Sequence, residues 1–222
     1  QRSLLNKLRK NFSQHETYLY NYYNAVFLIM GGQLSKADEM LEALFSDDNN
    51  EIFPGEVLYH RALIKSALEE SGHAIHFGKM ALQSFMRQHN FKRILHTLML
   101  LGINYTHSKI YEEALACYQH LIRNAELLND STLLPQILHN MGFLQKQMGN
   151  EKKALSYFEK SLTLQEKDTL HYMVSLHAFG EMNFYLKESE RAHVTFQELS
   201  LMARKLENRK YEVLANYFLM AL

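Results

Sequence analysis

In this 222-residue chain, histidine, asparagine and glutamine are the residues whose side chains are considered first for binding or chemistry. Twelve histidines are present, and imidazole can bind a metal ion or exchange a proton near neutral pH. Side-chain amides donate and accept hydrogen bonds at once, so they can hold a polar chain. The composition therefore raises a metal site, an acid–base site and a surface for an extended ligand as possibilities.

Residue spacing does not favour a metal site or an enzyme. His73 and His76 are three residues apart, but no third ligand follows at a zinc-site spacing and no HExxH motif occurs. The sequence also contains no GxSxG turn, phosphate-binding glycine loop or cysteine–histidine–asparagine set. His177 and Glu181 lie one helical turn apart, which is more typical of an i,i+4 surface contact than of a pH-sensitive pair. We expect no catalytic residue, no metal and no cofactor.

The charge balance argues against nucleic acid or an anionic membrane as a direct partner. Twenty-four basic residues offset 24 acidic ones, so no net field attracts either. The single cysteine, Cys117, excludes an internal disulfide and is expected to be a packed thiol. No apolar run reaches membrane-spanning length. We expect a cytoplasmic location, no membrane partner, and DNA contact only through a domain outside this sequence.

The elements that must position these side chains are most clearly seen in residues 135–168. Apolar residues recur at the three-and-four spacing of amphipathic helices in both halves of this stretch, and Gly149 and Asn150 separate the halves. With Pro135 as position 1, small residues occupy positions 8 and 20, where two packed helices come closest. The stretch therefore predicts a helical hairpin.

The same register recurs along the chain at steps of about 37 to 40 residues. Position 8 is Ala25, Ala62, Gly102, Gly142 and Gly180. Position 20 is Ala37, Ala74, Ala114, Ala154 and Ala192. Position 24 is bulky at Leu41, Tyr118, Phe158 and Phe196, with one exception at Gly78. The recurrence predicts an array of helical hairpins that share one core.

These residues, with leucine at position 4 (Leu58, Leu98, Leu138 and Leu176) and Tyr105 at position 11, resemble the tetratricopeptide repeat (TPR). The resemblance implies an all-α fold, a right-handed α-solenoid of helix-turn-helix pairs. The sequence departs from the usual pattern in having no tryptophan and no proline at position 32. Because proline would stop a helix there, its absence lets each second helix run longer.

The register predicts a single superhelix over residues 1–222. Its repeats are expected at about 18–51, 55–88, 95–128, 135–168 and 173–206. Residues 1–17 are interpreted as the end of a preceding repeat and residues 211–222 as the start of a truncated one. Because the chain begins with Gln1 and ends on an apolar helix pattern, we expect it to be part of a longer protein.

Residues 124–136 and 202–213 resemble the long-repeat TPR subgroup of Gram-positive peptide-pheromone receptors, the family of PlcR, NprR, PrgX and the Rap proteins. The resemblance implies a sensor domain of an intracellular quorum-sensing transcriptional regulator, whose oligomerisation and DNA or partner binding change when a short peptide binds. It also leaves open a Rap-like protein that acts on a response regulator, as phosphatase or inhibitor. A generic TPR scaffold for protein–protein interaction remains a third alternative.

In such a stack the first helices line the concave side through positions 2, 5, 6, 9, 12 and 13. We expect these residues to bind a short signalling peptide or an extended protein segment and to lie outside the core. The predicted surface consists of Tyr59, His60, His96, His107, His139, Asn140, Phe143, Gln147, His177, Glu181 and Asn216. The family resemblance implies that asparagine clamps the ligand backbone, and Asn140 and Asn216, both at position 6, match that role best. Ordinary hydrated polar residues are the alternative interpretation.

Overall fold

The computed structural model of the chain describes residues 12–46, 54–127 and 132–222, so the helix expected for residues 1–12 lies almost entirely outside the described part. Within these ranges the chain forms eleven α-helices and no strand, which confirms the all-α class. The helices are α1 Gln14–Met30, α2 Leu34–Ser46, α3 Pro54–Ala67, α4 Ser71–Arg87, α5 Phe91–His107, α6 Tyr111–Leu127, α7 Leu134–Gln147, α8 Glu151–Thr163, α9 Leu170–Tyr185, α10 Ser189–Lys205 and α11 Arg209–Ala221.

The chain divides into two compact units, residues 1–108 with α1 to α5 and residues 109–222 with α6 to α11. In each unit every helix packs against the next one along the chain. The core of the first unit includes Tyr22, Ala25 and Leu41, and a core cluster of the second includes Phe196 and Phe218. None of the helices in the described ranges combines the length and apolar character that crossing a membrane requires.

Helix starts are fixed by side chains that satisfy free backbone N–H groups. Ser13 and Glu16 form a capping box at α1, in which the Ser13 hydroxyl accepts from the Glu16 N–H at 3.3 Å. The Thr169 hydroxyl accepts from the Tyr172 N–H at 3.1 Å at the start of α9. Pro54 opens α3, as expected for a residue whose missing N–H needs no partner there.

Tight turns with one left-handed residue join the helices of most hairpins. Gly149 has φ of 76°, and the next N–H, of Asn150, donates to the carbonyl of Gln145 at 2.9 Å. The same closure follows Lys187, which has φ of 61° and is not glycine. Other turns use the left-handed non-glycine residues Glu69 (φ 61°), His89 (φ 52°), Lys109 (φ 61°) and Glu207 (φ 52°).

Small residues at position 8 allow the paired helices to approach closely. A Cβ atom added to Gly142 would lie 2.7 Å from the ring of Phe158, and one added to Gly180 would lie 2.9 Å from the ring of Phe196. Both rings are fully buried. The small residue and the aromatic residue of positions 8 and 24 therefore face each other across α7 and α8 and across α9 and α10, which confirms the interpretation of this register.

The exception at Gly78 has a steric cause. A Cβ atom at Gly78 would lie 2.8 Å from the side chain of Leu101, which α5 contributes. A bulky residue at this position would therefore collide with the neighbouring helix.

Cys117 is a buried free thiol on α6, as predicted. Burial, reinforced by the nearby Glu113 carboxylate, raises the pKa of this thiol to about 11. A thiol that stays protonated at neutral pH is a weak nucleophile, so its role is packing.

Replacing Gly142 by alanine is expected to destabilise the protein by about 1 to 3 kcal/mol, even though alanine favours helix formation by about 1 kcal/mol. The buried ring of Phe158 leaves no room for the added methyl group. Gly72→Ala is the control, because nothing lies within 4 Å of its added Cβ. Urea unfolding at neutral pH measures both variants, and equal stability of the two would contradict the close-approach interpretation.

Candidate functional site

The residues predicted for the binding surface fall in both units, so each set is described by itself. The first unit contains Tyr59, His60, His96 and His107. His107 is exposed at the end of α5 and His96 is partly buried on the same helix. Burial, together with the cations Arg93 and Lys92, lowers the pKa of His96.

Tyr59 is a core residue, so the prediction that it lies on an open surface is wrong. Its side chain is only 8% exposed. Its ring packs edge-on against Phe85 with centroids 6.4 Å apart, and the Arg93 guanidinium lies 5.1 Å from the ring centroid. The repeat register placed Tyr59 at a surface position, but side chains from α4 and α5 cover it.

His60 belongs to a side-chain network that ties α1, α3 and α5 together. Its Nδ1 lies 2.9 Å from the Glu56 carbonyl oxygen and 3.3 Å from the Tyr22 hydroxyl. The Glu56 carboxylate forms a bidentate salt bridge with Arg93, with N–O distances of 2.6 and 2.5 Å. Burial lowers the pKa of His60, with backbone and carboxylate of Glu56 opposing the shift. His60 therefore serves to link these three helices in the first unit.

The second unit contains a cavity of about 500 Å³ beside α7 and α9, closed on one side by the segment that links α8 to α9. Two predicted residues, His139 and Asn140 of α7, line it. The sequence analysis missed several other lining residues, among them His171 and Ser175 of α9 and Gln165 and Thr169 of the linking segment. The signal that the sequence offered was a polar residue, Ser175, within an apolar stretch between Met173 and Leu176.

His139 is held in place by contacts on two sides. Its Nδ1 lies 3.0 Å from the Ser175 hydroxyl, and its ring lies 5.4 Å from the ring of Phe158. Burial lowers the pKa of His139 to about 4, and the neighbouring His171 adds to this shift. The imidazole is therefore neutral at pH 7 and presents one donor and one acceptor nitrogen.

Glu181 pairs with a residue of another helix. Its carboxylate accepts from the Lys146 ammonium at 2.7 Å, which links α9 to α7. The sequence predicted an i,i+4 contact with His177, but the Lys146 contact is the one that satisfies this carboxylate. The Lys146 ammonium also lies 5.8 Å from the ring centroid of Tyr185.

His177 is partly buried and packs among aromatic rings. Its ring lies 6.3 Å from Phe196, 6.0 Å from Tyr211 and 5.8 Å from Phe218. Burial lowers its pKa, while the Glu181 carboxylate acts in the opposite direction. Aromatic side chains from α10 and α11 thus enclose an imidazole that the helical pattern placed on the surface.

The remaining predicted residues of the second unit differ in exposure. Phe143 is partly buried and packs against the cluster around Phe158, whereas Gln147 is exposed at the end of α7. Asn216 of α11 accepts a hydrogen bond from the Ser200 hydroxyl at 3.0 Å. The cavity therefore brings together His139 and Asn140, but not Asn216.

The donor set does not resemble a metal site. No group of three or more histidine, cysteine, aspartate or glutamate side chains within residues 12–46, 54–127 and 132–222 could hold a metal ion. The chemistry that the cavity offers is hydrogen bonding by imidazole, amide and hydroxyl groups.

A family model described as Tetratricopeptide repeat matches residues 93–167. The apo form of the quorum sensor NprR from B. thuringiensis superposes with a TM-score of 0.83 at 25% identity, covering 98% of this chain and 62% of that chain. NprR in complex with its cognate peptide NprX superposes with a TM-score of 0.75 at 27% identity, covering 96% of this chain and 63% of that chain.

The relatives that match in sequence include the following two. Transcriptional activator NprA of Geobacillus stearothermophilus is 26% identical over 162 residues, which is 72% of this chain and 40% of NprA. Regulatory protein RapD of Bacillus subtilis (strain 168) is 26% identical over 147 residues, which is 66% of this chain and 40% of RapD. The chain thus spans less than half the length of these two relatives.

The helical hairpins, the repeat match and the structural neighbours define a TPR-type α-solenoid domain. Within that class, the chain is similar in sequence to NprA and RapD and in structure to the quorum sensor NprR. Both resemblances drawn from the sequence are confirmed.

Tyr59→Ala is expected to destabilise the first unit by about 3 to 5 kcal/mol, the usual effect of deleting a buried aromatic ring. Tyr23→Ala is the matched control, because Tyr23 also lies on a first helix but is 63% exposed. Its expected effect is within about 0.5 kcal/mol. Thermal and urea unfolding measure both, and a mild effect of Tyr59→Ala would restore the surface interpretation.

Lowering the pH from 7 to 5 is expected to destabilise the wild-type protein by about 2 kcal/mol more than the His139→Gln variant. The folded-state pKa of His139 is about 4, below its ordinary value of 6.5. The unfolded chain therefore binds more protons between these values, and stability falls as the pH falls through this window. Urea unfolding at both pH values measures the difference, and parallel losses in the two proteins would refute the assignment to His139.

Proposed function

We propose that the chain is the peptide-sensing domain of an intracellular quorum-sensing transcriptional regulator. The peptide binds the first helices of the second unit, at the cavity between α7 and α9. The peptide is short and extended, and His139 and Asn140 contact its backbone. This placement is narrower than the sequence prediction, because Tyr59, His60 and His177 already serve packing or helix-linking roles.

The cavity is the observation that carries this proposal. Its volume of about 500 Å³ falls in the range of ligand pockets and could take one or two peptide side chains. Amide and imidazole groups on its wall can satisfy peptide N–H and carbonyl groups. The exposed Gln147 lies further along the same helix, where it could continue the contact.

The similarity to NprR supports the same assignment. The superposition with NprR in complex with the peptide NprX covers 96% of this chain. A peptide bound here would change how α7 packs against its neighbours, and in a repeat array each repeat contacts only its neighbours. We propose that this change alters homo-oligomerisation and, through a domain outside this sequence, DNA binding in the cytoplasm.

A Rap-like regulator is the second candidate, favoured by the match to RapD over 66% of this chain. In that case the peptide would control the binding of a response regulator rather than of DNA. A scaffold that binds proteins constitutively is the third possibility. Peptide-dependent change in oligomeric state, measured by analytical ultracentrifugation, favours a sensor of either kind over a scaffold.

Isothermal titration calorimetry with NprX and a library of synthetic heptapeptides is expected to identify a peptide that binds the 222-residue chain. Hydrophobic and mixed-charge sequences are both included, because the lining offers apolar and polar groups. Absence of binding by every member would count against a peptide sensor and leave the scaffold.

Asn140→Ala is expected to weaken the tightest-binding library heptapeptide about tenfold, because a side-chain amide that pairs with the ligand backbone is lost. The matched control is Asn124→Ala on α6, whose amide bonds to the His120 carbonyl of its own helix at 2.7 Å. Calorimetry should show unchanged affinity for that control. Equal affinity of Asn140→Ala and wild type would remove Asn140 from the site.

A further inference from the structure

A chain of hydrogen bonds within the cavity wall determines what His139 presents to a ligand. The chain begins at the Pro135 carbonyl oxygen, which accepts from the Ser161 hydroxyl at 2.7 Å. The Gln165 side-chain amide lies 2.7 Å from the Ser161 hydroxyl and 2.8 Å from the Ser175 hydroxyl. The Ser175 hydroxyl in turn lies 3.0 Å from His139 Nδ1.

The direction of each hydrogen bond follows from counting protons. A carbonyl oxygen can only accept, so the single hydroxyl proton of Ser161 is committed to Pro135. Gln165 must then donate to Ser161, and the amide nitrogen that does so has a second proton for Ser175. Because Ser175 accepts from Gln165, its own proton remains for another partner.

That proton points to His139. The Ser175 hydroxyl oxygen is 3.0 Å from His139 Nδ1 but 3.4 Å from the Ser161 oxygen, which already accepts from Gln165. If Ser175 donates to Nδ1, this nitrogen carries no proton, and a neutral imidazole then carries its proton on Nε2. Burial keeps His139 neutral at pH 7 by lowering its pKa to about 4.

We infer that Gln165 and Ser175 are positioning residues that fix the Nε2–H tautomer of His139, so that the cavity offers this N–H as a donor to an acceptor oxygen of the peptide. The inference rests on the proposed function for the identity of the ligand, but not for the tautomer. A backbone carbonyl and a terminal carboxylate share the required chemistry. A peptide group that only donates would find no partner at this nitrogen.

Nuclear magnetic resonance of the full 222-residue chain with nitrogen-15-labelled histidine tests the tautomer directly. The free protein at pH 7 is expected to show a protonated Nε2 and an unprotonated Nδ1 for His139, assigned by loss of the signals in His139→Gln. A protonated Nδ1 in the wild-type protein would overturn the inference. This readout requires no ligand.

Gln165→Glu is expected to reverse the pattern. A carboxylate only accepts, so it draws the Ser175 proton to itself and leaves the Ser175 oxygen as an acceptor that requires a proton on His139 Nδ1. The control is Ser156→Ala, because Ser156 is an exposed serine on α8. An unchanged tautomer in Gln165→Glu, with its fold confirmed by the amide spectrum, would remove Gln165 from this role.

The acceptor is tested with the tightest-binding library heptapeptide and its C-terminally amidated form. Binding should shift the His139 Nε2–H signal, and Ser175→Ala should weaken binding about threefold or more.

Equal affinity of the free-acid and amidated peptides identifies a backbone carbonyl as the acceptor, whereas a loss of tenfold or more on amidation identifies the terminal carboxylate. Binding that leaves the His139 signals unchanged would overturn the donor role, and binding by no peptide would count against the proposed function instead.

Discussion

The close approach of paired helices, with a glycine of one helix beneath a buried aromatic ring of the next, is the contact on which the second unit depends. Gly142 lies beneath Phe158 and Gly180 beneath Phe196, with no space for even one additional carbon atom. Because side chains in a packed core cannot move aside cheaply, these contacts set the spacing of α7 from α8 and of α9 from α10. The same Phe158 ring supports His139, so the contact that holds the hairpin together also places the imidazole at the cavity.

The fold could be predicted because its main constraint, the close approach of paired helices, is steric and therefore restricts the size of particular residues. Only glycine or alanine fits where two helices touch, so the register is visible in one sequence without knowledge of partners. Exposure along the first helices depends instead on side chains contributed by other helices. Tyr59 is covered by Arg93 and Phe85, and His177 by Phe218 and its neighbours, and the position within a repeat does not encode these contacts.

The cavity could be predicted only in part for a related reason. His139 and Asn140 follow from helical periodicity, whereas Gln165 reaches the site from the segment between α8 and α9. Linking segments have no periodicity from which a side-chain direction could be inferred. Lys146 pairs with Glu181 because α7 packs beside α9. From the sequence alone, Glu181 could equally have paired with His177 of its own helix. The chemical character of the site therefore depends on tertiary contacts more than on its own helix.

The left-handed turn residues explain why the repeats lack a recognisable turn sequence. Glycine adopts this conformation at little cost, yet lysine, glutamate and histidine also occupy it here, at Lys187, Glu207 and His89. The hydrogen bond that closes each of these turns and the packing of the helices on either side offset the free energy that the left-handed conformation costs. Evolution is thereby free to exchange the corner residues while the helix contacts remain, so such arrays can diverge in their connections and keep the same architecture.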